Sequence, residues 1–198
     1  MILHVIRHGE TETSGKTYAG RSDVPLNDRG RAEAQEIARR LGDQPITLIL
    51  TSPLARAVET AAPLASIRGV VPVEEPALME IDFGIYEGCP KAETGLRLRK
   101  THAVDPVPGG EALRDVWGRA GQVLHKVGRT GVAPGAHIAL VGHFWINRLI
   151  HGRATGMTFD AACRARAYRP RTGSVETVAF GVADDARRWP KNGHTAPA

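Results

Sequence analysis

The feature that most constrains this chain is the alternation of short apolar runs with helical stripes. Ile2-Leu-His-Val-Ile6, Ile46-Thr-Leu-Ile-Leu50 and His137-Ile-Ala-Leu-Val141 have the length and composition of buried strands. Residues 70–74 and 174–182 read as a short third strand and a last strand. Between them, residues 28–41 place Ala34, Ile37, Ala38 and Leu41 at i, i+3, i+4 and i+7, which makes one apolar face of a helix. Asn27 suits its N-cap and Gly42 its stop. Ser52-Pro53 reads as the start of a second helix, with Ser as N-cap and Pro at the first helical position, and Pro63 limits its regular part. Residues 111–128 keep helical spacing through Leu113, Val116, Trp117, Ala120, Val123, Leu124 and Val127. Residues 144–152 also read as helix.

Strands that alternate with helices call for a mostly parallel sheet covered on both faces. The expected fold is therefore α/β, a three-layer αβα sandwich. Regularity drops from about 75 to 110, where Pro76, Pro90, Pro106 and Pro108 cluster with glycines. We read this as a short lid-like excursion from one domain spanning 1–183. The polar tail 184–198 is expected to be mobile.

At 198 residues the chain can bury a core without disulfides or a structural metal. Its two cysteines, Cys89 and Cys163, have no metal or CxxC spacing, and read as reduced thiols of a cytoplasmic protein. No apolar run approaches the roughly 20 residues of a membrane span, and the N-terminus lacks the pattern of a signal peptide. Net charge is +5, which is compatible with nucleic acid or with a small anion. The basic residues form no tract interleaved with aromatics, the densest run being Arg164, Arg166, Arg169 and Arg171, so nucleic acid is the poorer reading. No HExxH, HxH, P-loop or GxGxxG occurs, and neither metal nor cofactor is expected.

In an open α/β sheet, ligands bind beyond the carboxyl ends of the strands. Arg7, His8, Gly9, Glu10 and Thr11 follow the first strand, and Ser52 and Arg56 the second. Glu80 and Asp82 follow the third, and Gly142 and His143 follow the strand at 137–141. Two histidines, two arginines and a carboxylate are thus expected at one edge. Arginine forks and free helix N–H groups bind phosphoryl oxygens. An unprotonated imidazole is a nucleophile, and a carboxylic acid can protonate a departing alkoxide. Each residue has a plainer reading too: Arg56 as a helix-surface cation, His143 as a core histidine, and Asp82 or Glu87 as the carboxylate in place of Glu80. His4 reads as structural, and Tyr18, Tyr86 and Trp117 as packing residues, with Tyr86 a candidate for substrate contact.

Arg7-His8-Gly9-Glu10-Thr11 resembles the RHG signature of the histidine phosphatase superfamily, the phosphoglycerate mutase-like proteins. Gly20-Arg-Ser-Asp-Val-Pro-Leu-Asn27, Ser52-Pro-Leu-Ala-Arg56, Leu78-Met-Glu80-Ile-Asp-Phe-Gly84-Ile-Tyr-Glu87-Gly88, Pro108-Gly-Gly-Glu111 and Val141-Gly-His143 are similar to its further blocks, in order. The resemblance implies that His8 carries the phosphoryl group. It implies that Arg7, Arg56 and His143 line the phosphate pocket, and that Glu80 is proton donor and then base. Gly9 would let the backbone approach closely, with Thr11, Ser14, Gly20, Arg21, Glu111 and Phe144 as further substrate-binding candidates. Ser14 stands where the family often has Asn, and Phe144 where it usually has Gly.

The implied activity is cofactor-independent hydrolysis of a small phosphomonoester, with α-ribazole phosphate or a sugar phosphate as candidates. A mutase-type phosphotransferase and a non-catalytic phosphate-binding relative are the alternatives. The expected partner is a small phosphorylated substrate, not nucleic acid or membrane, and a homodimer is left open.

Overall fold

The computed structural model describes residues 1–130, 133, 135–164 and 168–181. The tail expected to be mobile lies outside the described residues. Five strands, β1 (Ile2–Arg7), β2 (Ile46–Thr51), β3 (Val73–Glu74), β4 (His137–Gly142) and β5 (Val175–Ala179), form one sheet in the order β3-β2-β4-β1-β5. All neighbours are parallel except β1 and β5. β1, β2 and β4 are largely buried because both faces of the sheet are covered, which accounts for their unbroken apolar runs.

Helices α1 (Asp28–Leu41) and α2 (Ala55–Arg68) cover one face. Ile37, Ala38, Leu41, Ala57, Ala61 and Leu64 pack there on Ile6, Ile49, Ala139 and Val141. After two four-residue helices, α3 (Lys91–Thr94) and α4 (Leu98–Thr101), the long helix α5 (Leu113–Arg129) covers the other face with α6 (Phe144–Ala154) and α7 (Phe159–Arg164). The α5 stripe Leu113, Val116, Ala120, Val123, Leu124 and Val127 packs on the side of the sheet that holds Leu3, Val5, Ile138 and Leu140. The result is a mixed α/β fold with a mostly parallel central sheet between helices.

As expected, Asn27 caps α1, its side chain accepting from the Gly30 N–H, and the helix stops at Gly42, which is right-handed and whose carbonyl accepts from Arg68. Local starts and stops differ from expectation in three places. Ser52 is not the cap of α2. The helix begins at Ala55, whose N–H donates to Asp23, a partner 32 residues earlier. Pro63 does not end α2, which continues to Arg68 and stops at left-handed Gly69; burial of Leu64 and Ala65 outweighs the one helix hydrogen bond that proline removes. The third strand is two residues long rather than five.

The excursion contains two 3-10 turns, Pro76–Leu78 and Gly84–Tyr86, as well as α3 and α4. It is not detached from the core: Leu78, Ile81, Phe83, Leu98 and Val107 are buried against α5. Gly84 and Gly110 allow a close crossing. A Cβ on Gly84 would lie 2.1 Å from the Pro108 carbonyl oxygen, and one on Gly110 would lie 2.4 Å from that of Asp82.

Candidate active site

The sheet register builds the site. Arg7 pairs with Gly142 across the β1–β4 ladder, so the next residues, His8 and His143, are neighbours. Their ring centroids lie 5.0 Å apart. β2 flanks β4 on the other side and delivers Ser52. Arg56 then enters from the first turn of α2. Arg7, His8, Arg56 and His143, together with Glu80, line one cavity of about 630 Å³, with Ser52 behind His143.

His8 is buried, and its Nδ1 lies 2.7 Å from the Gly9 carbonyl oxygen. A carbonyl only accepts, so Nδ1 carries the proton and Nε2 is the unprotonated nitrogen. Burial first, then the charges of Arg7 and Arg56, hold the imidazole well below its ordinary pKa. His8 is therefore neutral at pH 7.

His143 has almost no exposure and is also held well below its ordinary pKa, by burial and then by Arg56. Its Nδ1 accepts from Arg56 Nε at 3.2 Å, and its Nε2 donates to Ser52 Oγ at 2.8 Å. Arg56 further donates Nη1 to the Ser22 carbonyl and Nη2 to the Gly20 carbonyl, each at 2.7 Å. Three of its five N–H groups are thus spent on holding the guanidinium, and one on each terminal nitrogen is left for an anion. Arg7 donates Nη1 to the Pro170 carbonyl at 2.8 Å, while its buried Nε has no partner among the described residues.

Glu80 sits at the N-terminus of α6. Its Oε1 accepts from the N–H groups of Ile81, Trp145 and Ile146, at 3.0, 3.0 and 3.4 Å. Among the described residues, Oε2 accepts only from Trp145, at 3.1 Å, and keeps a lone pair free. The rival carboxylates are spent elsewhere. Glu87 accepts from Arg21, Ser22 and Phe83, and Asp82 accepts from Gly84.

Thr11, Ser14, Gly20 and Phe144 also line the cavity. Thr11 and Ser14 are tied to one another, Ser14 Oγ accepting the Thr11 N–H at 2.9 Å, so they shape the loop as well as face the cavity. Gly9 is needed for packing: a Cβ there would lie 2.4 Å from the Gly30 carbonyl oxygen, and its N–H is committed to Thr60 Oγ1 at 3.0 Å. Arg21 and Glu111 are not among the cavity residues. They pair with each other at 3.1 Å, one layer behind it. Lys91 and Trp145 line the cavity without having been singled out from the sequence, and Arg171, read there only as one of a basic run, lines it too. Ser52, read there as a helix cap, is the partner of His143; adjacency of β2 and β4 was the signal that could have found it. Among the described residues, no cluster of three or more His, Cys, Asp or Glu could hold a metal.

Residues 3–181 match the sequence profile of the histidine phosphatase superfamily, branch 1. The chain belongs to this superfamily. A probable phosphoglycerate mutase, GpmB, from Cronobacter sakazakii is 31% identical over 149 residues, covering 71% of this chain and 68% of that protein. Phosphoglycerate mutase-like protein 4 of Arabidopsis thaliana is 33% identical over 162 residues, covering 76% and 69%. Among solved structures, the α-ribazole phosphatase of Shigella flexneri superposes with a TM-score of 0.79 at 26% identity, covering 91% of both chains. A mycobacterial glucosyl-3-phosphoglycerate phosphatase gives 0.79 at 25%, covering 89% of this chain and 88% of that one. The five-stranded sheet and its helical layers are those of a histidine phosphatase, and the blocks read in the sequence meet at its strand ends. No described helix of this histidine phosphatase is long and apolar enough to cross a membrane.

Proposed function

We propose that this histidine phosphatase hydrolyses a small phosphomonoester through a phosphohistidine at His8. The observation that carries the reading is the tautomer of His8. The Gly9 carbonyl holds the proton on Nδ1, leaving the Nε2 lone pair beside two arginines with unspent N–H groups. In the first step Nε2 forms a bond to phosphorus while the bond to the ester oxygen breaks. The Glu80 carboxyl, through Oε2, gives its proton to that oxygen. In the second step the Glu80 carboxylate takes a proton from water, whose oxygen attacks phosphorus as the P–N bond breaks. Inorganic phosphate leaves, and His8 and Glu80 return to their starting forms. Arg7 and Arg56 offset charge on the equatorial oxygens in both steps. His143 acts by orienting Arg56.

Access of water favours hydrolysis over return of the phosphoryl group, and of the excursion the cavity is lined by Glu80, Phe83 and Lys91, a short cover. The relative named a probable phosphoglycerate mutase supports the alternative, transfer between positions of a phosphoglycerate. For the leaving group, the cavity offers the rings of Tyr18, Phe83, Phe144 and Trp145 beside the cations Lys91 and Arg171. That lining suits a phosphorylated sugar or nucleoside-like metabolite such as α-ribazole phosphate. The free Cys89 and Cys163 fit a reducing, cytoplasmic setting.

The test is a rapid quench with an aryl phosphate. Wild-type protein is expected to carry an acid-labile, base-stable phosphoryl group, and His8→Ala neither label nor turnover. A label retained in His8→Ala refutes the reading. Interconversion of phosphoglycerates faster than release of phosphate would establish the mutase instead.

A further inference from the structure

Arg119, on the face of α5 behind the cavity, spends all five of its N–H groups. Nε and Nη2 grip Glu111 at 2.9 and 2.8 Å. Nη1 donates to the carbonyls of Ala77 and Met79, both at 2.8 Å. The remaining Nη2 hydrogen reaches the Glu80 carbonyl at 3.3 Å. Glu111 in turn accepts the Asp82 N–H at 3.0 Å and pairs with Arg21. The main chain is therefore held at 77, 79, 80 and 82, on both sides of Glu80. Burial pushes the Glu111 carboxyl up, but Arg119, the Asp82 N–H and Arg21 together hold it below its ordinary pKa. The ion pair is thus intact through the neutral range.

Neither Arg119 nor Glu111 lines the cavity, and their polar atoms are spent on each other, on Arg21 and on the main chain of 77–82. We infer that Arg119 and Glu111 are positioning residues for the acid: their bidentate pair fixes the main chain of 77–82 so that Glu80 Oε2 meets the leaving oxygen. The inference rests on the role of Glu80 proposed above. The geometric argument is that a carboxylate on a loop with two 3-10 turns has no strand or helix of its own to hold it. A guanidinium with a planar fork supplies that rigidity, and lysine, with three N–H groups on a flexible stem, cannot make the same five contacts. Misplacement of an acid by an ångström removes much of its contribution.

The readout must separate positioning from general damage. An aryl phosphate such as p-nitrophenyl phosphate needs little protonation of its leaving group, whereas glycerol 2-phosphate needs it fully. For Arg119→Met we expect kcat/KM on glycerol 2-phosphate to fall about 10-fold or more, against less than about 3-fold on p-nitrophenyl phosphate. Arg119→Lys and Glu111→Gln, which disturb packing less, are expected to show the same selectivity in weaker form. In a Glu80→Gln background Arg119→Met should add no further loss, because it acts through the group already removed. Equal slowing of both esters by all three variants, or effects that multiply in the Glu80→Gln background, overturns the inference. If Glu80→Gln alone fails to discriminate between the two esters, the acid is another group and the role of Glu80 falls first.

Discussion

His4 should make this protein acid-sensitive at a point far from the cavity. It lies in the middle of β1 directly opposite Thr177 of β5. Its Nδ1 is 3.1 Å from Thr177 Oγ1, and its Nε2 is 3.0 Å from His137 Nδ1 at the start of β4. Burial, then His137 and Arg40, push its pKa from 6.5 down to about 4. A folded-state value below the unfolded one means that the unfolded chain binds the extra proton. The stabilisation is present above pH 6.5 and is lost as pH falls toward 4. With those two values, linkage gives a loss of about 0.2 kcal/mol at pH 7 and about 2 kcal/mol at pH 5. His137 is half-buried, and solvent reaching it screens the pair, so we expect about 1–2 kcal/mol between pH 7 and pH 5. Urea unfolding followed by circular dichroism, on wild type and His4→Leu at both pH values, measures it. The buried His8 and His143 contribute the same linkage in both proteins and cancel in the comparison. Wild type should lose about 1–2 kcal/mol more than the variant on going to pH 5. An identical loss in both would refute the argument.

Two further outcomes follow from the site itself. Burial and the neighbouring arginines hold the His8 pKa well below 6.5, so kcat/KM for an aryl phosphate, corrected for the ionisation of the ester, should not fall between pH 7.5 and 6; an acid limb centred near 6.5 would contradict the buried, neutral imidazole. Arg56→Lys removes the fork that holds the carbonyls of Gly20 and Ser22 and the His143 ring. Steady-state kinetics should show kcat/KM lower by about 10²-fold or more, with the loss in kcat as well as KM, since the guanidinium meets the phosphoryl group in ground and transition states; a change confined to KM would mean that it binds substrate only.

The sequence alone went far here because its local signals agree with one another. An apolar run buried on both faces is legible as a central strand, and β1, β2 and β4 were. The i, i+3, i+4 stripes of α1 and α5 are equally local properties, and Asn27 needs only the N–H three residues ahead. Polar residues directly after strands mark the ligand edge of a parallel sheet, which makes His8 and His143 legible from strand position, whereas the choice of Arg56 and of Glu80 over Asp82 and Glu87 rests on the resemblance to the family's blocks.

What stayed hidden depends on partners distant in the chain. The start of α2 is set by Asp23 rather than by Ser52, and Pro63 survives inside it because tertiary packing outweighs one missing hydrogen bond. Glu111 was recognisable as part of a block, but only the crossing of the 108–111 turn over 82–85 shows that it grips Arg119 rather than facing substrate. Arg119 itself carries no sequence signal, being one arginine on a helix that has others. Periodicity and capping are written within a few residues of each side chain. The direction in which a guanidinium fork or a carboxylate spends its hydrogen bonds is decided by atoms that only the folded chain brings within 3 Å.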